Sequence, residues 1–214
     1  MFYRKLKKLQ PRFEEVINGY HMIHKRPIKE SIWEEINCKI VKNVCNISYE
    51  SNGSHLSGKD NQFDTYTISN KTTKKNGKYL QISSYRLTKI CSHKYPGNPQ
   101  DIIKEIKKRD DSFDYYSLLI REELYKTKLK YEWYMIPKDN YLFQVNYLLP
   151  KMNKNKNEII GWTSKYCNIS FSLSSQLWYK FNIDQIKPYK LCHCTINNDK
   201  PKIDYAQVFH MFRK

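Results

Sequence analysis

Ser57-Gly58-Lys59-Asp60 and, after a short gap, Thr67-Ile68-Ser69-Asn70-Lys71 decide how this chain is read. An acid is followed nine residues later by a small polar residue, and two further on by a lysine. The second segment is rich in β-branched residues and reads as a strand, so Ser69 and Lys71, two apart, point to the same face. A carboxylate for a hard cation, a second polar ligand and a lysine beside an attacking water are the parts that metal-assisted hydrolysis uses. One geometric condition follows. Nine residues of straight strand span about 30 Å, so Asp60 and Ser69 share a site only if the chain reverses between them. Asn61-Gln62 can make that turn. If it does not, Gln81 or Ser83 on the following strand takes the position of the second ligand.

Outward from this segment the pattern is mixed. Residues 2–24 read as helix interrupted near Pro11. Pro27 sits where a second helix starts, and 28–38 carries Ile28, Ile32 and Ile36 at helical spacing. Residues 40–49 alternate weakly, as in a strand. Two β-rich runs at 63–73 and 78–90 flank Lys75-Asn76-Gly77, a strong hairpin signal. Asn98-Pro99 opens a helix with Ile102, Ile103 and Ile106 inward, and 113–120 and 129–136 are strands rich in aromatic residues. Further strands are expected near 158–163, 167–173 and 189–196, with a short helix from 204. The order up to residue 137 is α, β, β, β, α, β, β. The fold class is α/β (α+β): a mixed central sheet flanked by helices, in one domain spanning 1–214.

This order and these residues resemble the PD-(D/E)XK nuclease core, with details similar to small type II restriction endonucleases. The resemblance rests on Ser57-Gly58-Lys59-Asp60, Ser69-Asn70-Lys71, the strand Gln81-Ile82-Ser83-Ser84-Tyr85-Arg86 and the strand ending Trp133-Tyr134-Met135-Ile136-Pro137. It covers about residues 28–137, leaving 138–214 for additional strands and DNA-contact elements. It implies a Mg²⁺-dependent endonuclease, with Mn²⁺ as a possible substitute, that cleaves double-stranded DNA. Asp60 is then the central metal ligand and Lys71 the catalytic lysine. Ser69 stands where the family pattern has Asp or Glu, so it is a weak ligand and a second acid must come from elsewhere. Some restriction enzymes show a similar Ser-x-Lys with the acid displaced onto a helix. Because a duplex has two strands to cut, a homodimer is an arrangement suggested by analogy.

Glu35 is the candidate for the displaced acid. At ~100° per residue it falls near Ile28 and Ile32, at the edge of the apolar face, whereas Glu34 points away. Glu122 and Glu123 are next, and Asp64 is the alternative to Asp60. Each has a plainer reading. Asp60 is also good turn chemistry, Lys71 an exposed strand lysine, Glu35 a surface glutamate. Lys59, Arg86, Lys89 and Gln176 are candidate DNA contacts, with His93 and Lys94 beside them; the solvated side of a strand explains the basic ones equally well. For Gln176, base-edge reading competes with a strand running into a helix N-cap, the preferred reading.

Composition sets the outer limits. The 214 residues carry a formal net charge of +17, which favours a polyanionic partner, most simply nucleic acid. Lysine far outnumbers arginine and Ala206 is the only alanine, a bias that an AT-rich genome produces by itself. No apolar run reaches the ~18 residues of a membrane span, and residues 1–8 show no secretory h-region; the expectation is an intracellular, cytoplasmic protein. The six cysteines include no C-x-x-C and are read as reduced thiols. Cys192-His193-Cys194 cannot chelate together on a strand, where the middle residue faces the other way. The second functional class in contention is a non-catalytic nucleic-acid-binding or interaction protein that keeps the fold with a decayed site.

Overall fold

The computed structural model describes residues 6–45, 49–51, 60–63, 65–87, 98–110, 112–171 and 176–197. After a 3-10 turn at Lys7–Leu9, helix α1 runs over Gln10–Ile23. Pro11 opens this helix rather than interrupting it, because an N–H missing in the first turn has no intrahelical partner to lose. Phe13, Ile17 and His21, four apart, form its buried stripe. Helix α2 spans Glu30–Cys45. Its buried residues are Trp33, Asn37, Ile40 and Val41. The strand expected over 40–49 is therefore largely helix: Ile40 and Val41 lie three and four residues beyond Asn37 and continue its stripe, while Lys39 and Lys42 are exposed.

Eleven strands among the described residues form two sheets. The first has the order β1-β2-β3-β5-β6-β11, from Tyr49–Ser51, Asn61–Phe63, Tyr66–Lys74, Tyr115–Tyr125, Lys128–Pro137 and Lys190–Asn197. β2 and β3 are an antiparallel hairpin with Asn61 opposite Ile68 and Phe63 opposite Tyr66. The chain thus reverses between Asp60 and Ser69, but beyond Phe63; Asn61 and Gln62 are strand residues, not the turn. β3 and β5 are parallel, Asn70 opposite Ser117 and Lys71 opposite Leu118, and helix α3 (Pro99–Asp110) lies between them in sequence. A parallel pair needs such a crossover. β6 and β11 extend the sheet antiparallel.

The second sheet has the order β4-β10-β9-β8-β7, from Tyr79–Arg86, Gln176–Asn182, Cys167–Phe171, Glu158–Thr163 and Pro150–Asn153. Gly77, at φ 66°, makes the turn expected at Asn76-Gly77. The flanking strands nevertheless do not form one hairpin ladder: β4 crosses into the second sheet and pairs with β10. Burial explains the divergence. Leu80 and Ile82 of β4 enter a core with Tyr116, Leu118, Ile120 and Ile136 of the first sheet, which requires β4 to fold over that sheet rather than extend it. β10 corrects another expectation. Leu177, Tyr179 and Phe181 are buried at strict alternation, so the segment from Gln176 is a strand, not a helix N-terminus.

The architecture is mixed α+β. Helices α1 and α2 cover one face of the first sheet through Phe13, Trp33 and Trp133; the Trp33 and Trp133 rings meet edge-on at 5.3 Å. The second sheet, with Ile102 and Ile106 of α3, covers the other face. Because β11 completes the first sheet and β4 the second, the part after residue 137 is interleaved with the part before it. Among the described residues no helix is long and apolar enough to cross a membrane.

Gly161 on β8 is required by this packing. A Cβ there would lie 1.9 Å from the backbone oxygen of Ile169 on β9. Gly161→Ala is expected to cost about 3–5 kcal/mol, lowering the melting temperature by roughly 10 °C in thermal denaturation followed by circular dichroism.

Candidate functional site

Asp60 sits one residue before β2, at the end of the β2–β3 ladder. Its N–H donates to the Ile68 carbonyl at 2.9 Å. Its carboxylate Oδ2 accepts the Asn70 N–H at 2.5 Å and, more weakly, the Ser69 hydroxyl at 3.4 Å. Beyond this point β3 has no partner on that side among the described residues, and Lys71 turns round the open edge. Its Nζ donates to the Asn70 carbonyl at 2.7 Å and to Glu30 Oε1 at 3.1 Å, and lies 4.0 Å from Asp60 Oδ2. The Lys71 side chain is only 7% exposed, whereas Asp60 is 27% and Glu30 45% exposed. One nearly sealed ammonium therefore stands between two carboxylates that open to the surface.

Asn70 holds this arrangement together. Its N–H binds Asp60 and its carbonyl binds Lys71, while its side chain points to the opposite face of the sheet. There Asn70 Oδ1 accepts from Asn37 Nδ2 at 2.6 Å. The same Asn37 amide donates to Ser117 Oγ at 2.7 Å, and Trp133 Nε1 donates to that hydroxyl at 2.9 Å. Helix α2 is thereby fixed to β3, β5 and β6 through one buried amide. Glu30 lies seven residues before Asn37, on the same helical face, so the anchor that fixes Asn37 also aims Glu30 at Lys71. Glu30 is also the first residue of α2, where the helix dipole favours an acid.

The structure thus brings Asp60, Ser69 and Lys71 together as expected from the sequence, and adds Glu30 in place of Glu35. Glu35 is exposed. Ile28 precedes the helix, so the true phase is set by Trp33, Asn37 and Ile40, and Glu35 falls on the solvent side. Glu122 and Glu123 are engaged by Lys75 and Lys74, both at 2.7 Å. Gln81 is exposed and Ser83 lies in the second sheet, so neither is needed as the second half of the site. Arg86 and Gln176 are register partners at one end of the β4–β10 ladder. Lys59, Asp64, Lys89, His93 and Lys94 lie outside the described residues, as does the helix expected from 204. Sequence reasoning passed over Glu30, Asn37 and Asn70. The available signal was a polar residue at a core-facing strand position, Asn70, and another, Asn37, at a core-facing helix position.

The donor set is oxygen-rich. Among the described residues no group of three or more His, Cys, Asp or Glu side chains could hold a metal ion; the cluster offers two carboxylates and a hydroxyl. Mg²⁺ commonly takes one or two carboxylates and completes its octahedron with water and substrate oxygens. Burial raises the Asp60 carboxyl above its ordinary value, against the opposing pull of Lys71 and the Asn70 N–H, and nearby Glu30 raises it further. Its negative charge is thus incompletely compensated by the protein, as suits a cation ligand. Among the described residues, three buried cysteines lie apart from this cluster. Burial pushes the thiols of Cys167, Cys192 and Cys194 up to about 12, and His193 faces solvent between its two buried neighbours.

No protein-family model, curated protein or solved structure matches this chain.

The raised Asp60 carboxyl has a defined effect on stability. The folded state binds this proton more tightly than the unfolded chain, so stability falls as pH rises from the ordinary value of 3.8 through the folded value, then levels off. Asp60→Asn is expected to remove that dependence and, without divalent metal, to be at least as stable as the wild type at pH 7. Millimolar Mg²⁺ should raise the wild-type melting temperature and leave the variant's unchanged. Thermal denaturation from pH 3 to 7, with and without Mg²⁺, checks both.

Proposed function

We propose that the chain is a Mg²⁺-dependent endonuclease of PD-(D/E)XK type that acts on double-stranded DNA. The observation that carries this reading is the convergence of Asp60, Ser69 and Lys71, with Lys71 Nζ 4.0 Å from Asp60 Oδ2 and 3.1 Å from Glu30 at the open edge of β3. The strand pattern supports it: a hairpin carrying the acid and the lysine, a helical crossover, then a parallel and an antiparallel strand. The net charge of +17 suits a polyanionic substrate. Asp60 and Glu30 would hold the cation, and among the described residues the cluster has oxygen donors and no imidazole or thiolate, which favours a hard ion over zinc. Such a cation, when bound, would activate water and offset charge on the phosphoryl oxygens.

The chain's own residues have separate tasks. Asn70 N–H and the Ser69 hydroxyl orient Asp60. Lys71, held by the Asn70 carbonyl, presents a fixed ammonium that can donate to an attacking water or to a phosphoryl oxygen as negative charge develops. Glu30 replaces the acid absent at position 69 and approaches from the helix.

One observation favours a non-catalytic nucleic-acid-binding protein instead. Lys71 is already engaged within the fold by Glu30 and the Asn70 carbonyl, while position 69 carries no carboxylate. Digestion of mixed-sequence plasmid DNA separates the two readings. The endonuclease nicks or linearises plasmid with Mg²⁺ and not with EDTA, and Asp60→Asn and Lys71→Ala each lower the rate by about 10³-fold or more, about 4 kcal/mol of transition-state stabilisation, while duplex binding in EDTA persists. Duplex binding by a wild-type protein that never cleaves would establish the other.

A further inference from the structure

A second charged feature lies beyond the candidate site. Where β3 ends, a cleft of about 480 Å³ opens between the first sheet and the 3-10 segment Ile183–Tyr189. Lys75, Lys78, Lys130, Lys187 and Lys190 line it, against Glu132 and Asp184. Glu132 is the floor. Its side chain is 7% exposed, and Oε1 accepts from Lys130 Nζ at 3.1 Å and Lys190 Nζ at 3.2 Å, while Oε2 accepts from the Tyr134 hydroxyl at 3.2 Å. Burial opposes ionisation of this carboxyl, yet the two lysines outweigh it and hold the group below its usual range.

A buried carboxylate is expensive unless paired. Here its pairing fixes two ammonium groups from neighbouring strands side by side, each with donors to spare. Lys187 is paired with Asp184 at 2.6 Å and Lys75 with Glu122 at 2.7 Å, both at or near the rim. Lysines still outnumber the lining carboxylates five to two. The cleft is therefore a preset cationic surface and not a neutralised one.

Its position gives it a use. Lys75 follows Lys71 by four residues along the β3 direction, and its N–H continues the ladder to the Arg121 carbonyl at 2.7 Å. Four residues of strand cover roughly 13 Å. A DNA strand carries one phosphate per about 3.4 Å of helix axis, so the spacing from Lys71 to Lys75, at the β3 edge of the cleft, corresponds to about four phosphates; Lys130 on β6 and Lys190 on β11 lie two and three strands farther across the sheet. We propose that this lysine cleft binds backbone phosphates of the duplex whose reacting phosphate lies at Asp60 and Lys71. This rests on the nucleic-acid part of the function proposed above and not on the metal chemistry.

The test is fluorescence anisotropy of the full chain with a labelled mixed-sequence duplex in EDTA, where cleavage cannot intervene, at salt from 50 to 200 mM. The double variant Lys78→Glu/Lys187→Glu should bind at least 10-fold more weakly at 100 mM salt. Its slope of log affinity against log salt should be shallower by about 1.8, the release expected for two phosphate contacts. Lys154→Glu/Lys156→Glu, an equal charge change on the exposed β7–β8 turn, should leave that slope nearly unchanged. An unchanged slope in the first variant, or an equal loss in both, overturns the proposal. Binding of inorganic tripolyphosphate without duplex binding overturns the backbone assignment. Failure of Mg²⁺-dependent cleavage with this binding pattern intact would remove the enzymatic reading alone.

Discussion

The buried amide of Asn37 is the constraint on which the candidate site depends. It joins α2 to β3 through Asn70 and to β5 through Ser117, and Trp133 on β6 closes the set. A buried polar group left without its partner costs about 1–3 kcal/mol. Sliding α2 along the sheet would strand Asn37, Asn70 and Ser117 together. The strand side is equally constrained, because a one-residue slip of β3 would exchange its two faces and bring Asn70 where Ser69 and Lys71 stand. The network is not fully satisfied, since among the described residues Asn37 Oδ1 and Asn70 Nδ2 have no hydrogen-bond partner. Aliphatic residues of similar size would avoid that cost. What they would not do is set α2 and β3 in one register, and that register delivers Glu30 to Lys71.

The charges follow from this placement. Glu30, Asp60 and Lys71 together carry one net negative charge, and Lys71, the only cation among them, is the most enclosed. An ammonium so enclosed needs a carboxylate partner, because an unpaired charge in a low-dielectric setting is strongly disfavoured; Glu30, at 3.1 Å, is the nearer of the two. The carboxylates in turn lean on one ammonium between them, so Asp60 remains raised by burial. A cation bound as proposed would approach from the side on which Asp60 and Glu30 are exposed.

Much of this was legible in the sequence, for physical reasons that differ by element. Asp60, Ser69 and Lys71 were readable because strand alternation and a short hairpin leave few ways to arrange them. The strands around Trp133, Trp162 and Cys192 were expected within a residue or so of where they stand, the first from its Tyr and Trp content. Glu30 was not readable. Helix phase was inferred from Ile28, Ile32 and Ile36, whereas the buried stripe includes Asn37, a polar residue that a hydrophobicity pattern counts against the core. β10 was hidden for a related reason: the small polar residues before it resemble a helix cap, and only its partner β4 makes its alternation meaningful. The separation of β3 from β4 across the Asn76-Gly77 turn was beyond local signals altogether, because a turn fixes reversal but not which sheet the next strand joins.

The central claim is that Glu30 and Asp60, positioned through Asn37 and Asn70, form one cation site beside Lys71. Mn²⁺ binding followed by electron paramagnetic resonance tests it most directly, since it requires neither substrate nor turnover. Wild-type protein should bind Mn²⁺, Glu30→Gln should weaken that binding by about 10-fold or more, equivalent to about 1.4 kcal/mol, and Glu35→Gln should leave it unchanged. Binding that is insensitive to Glu30, or that depends on Glu35 instead, would contradict the account.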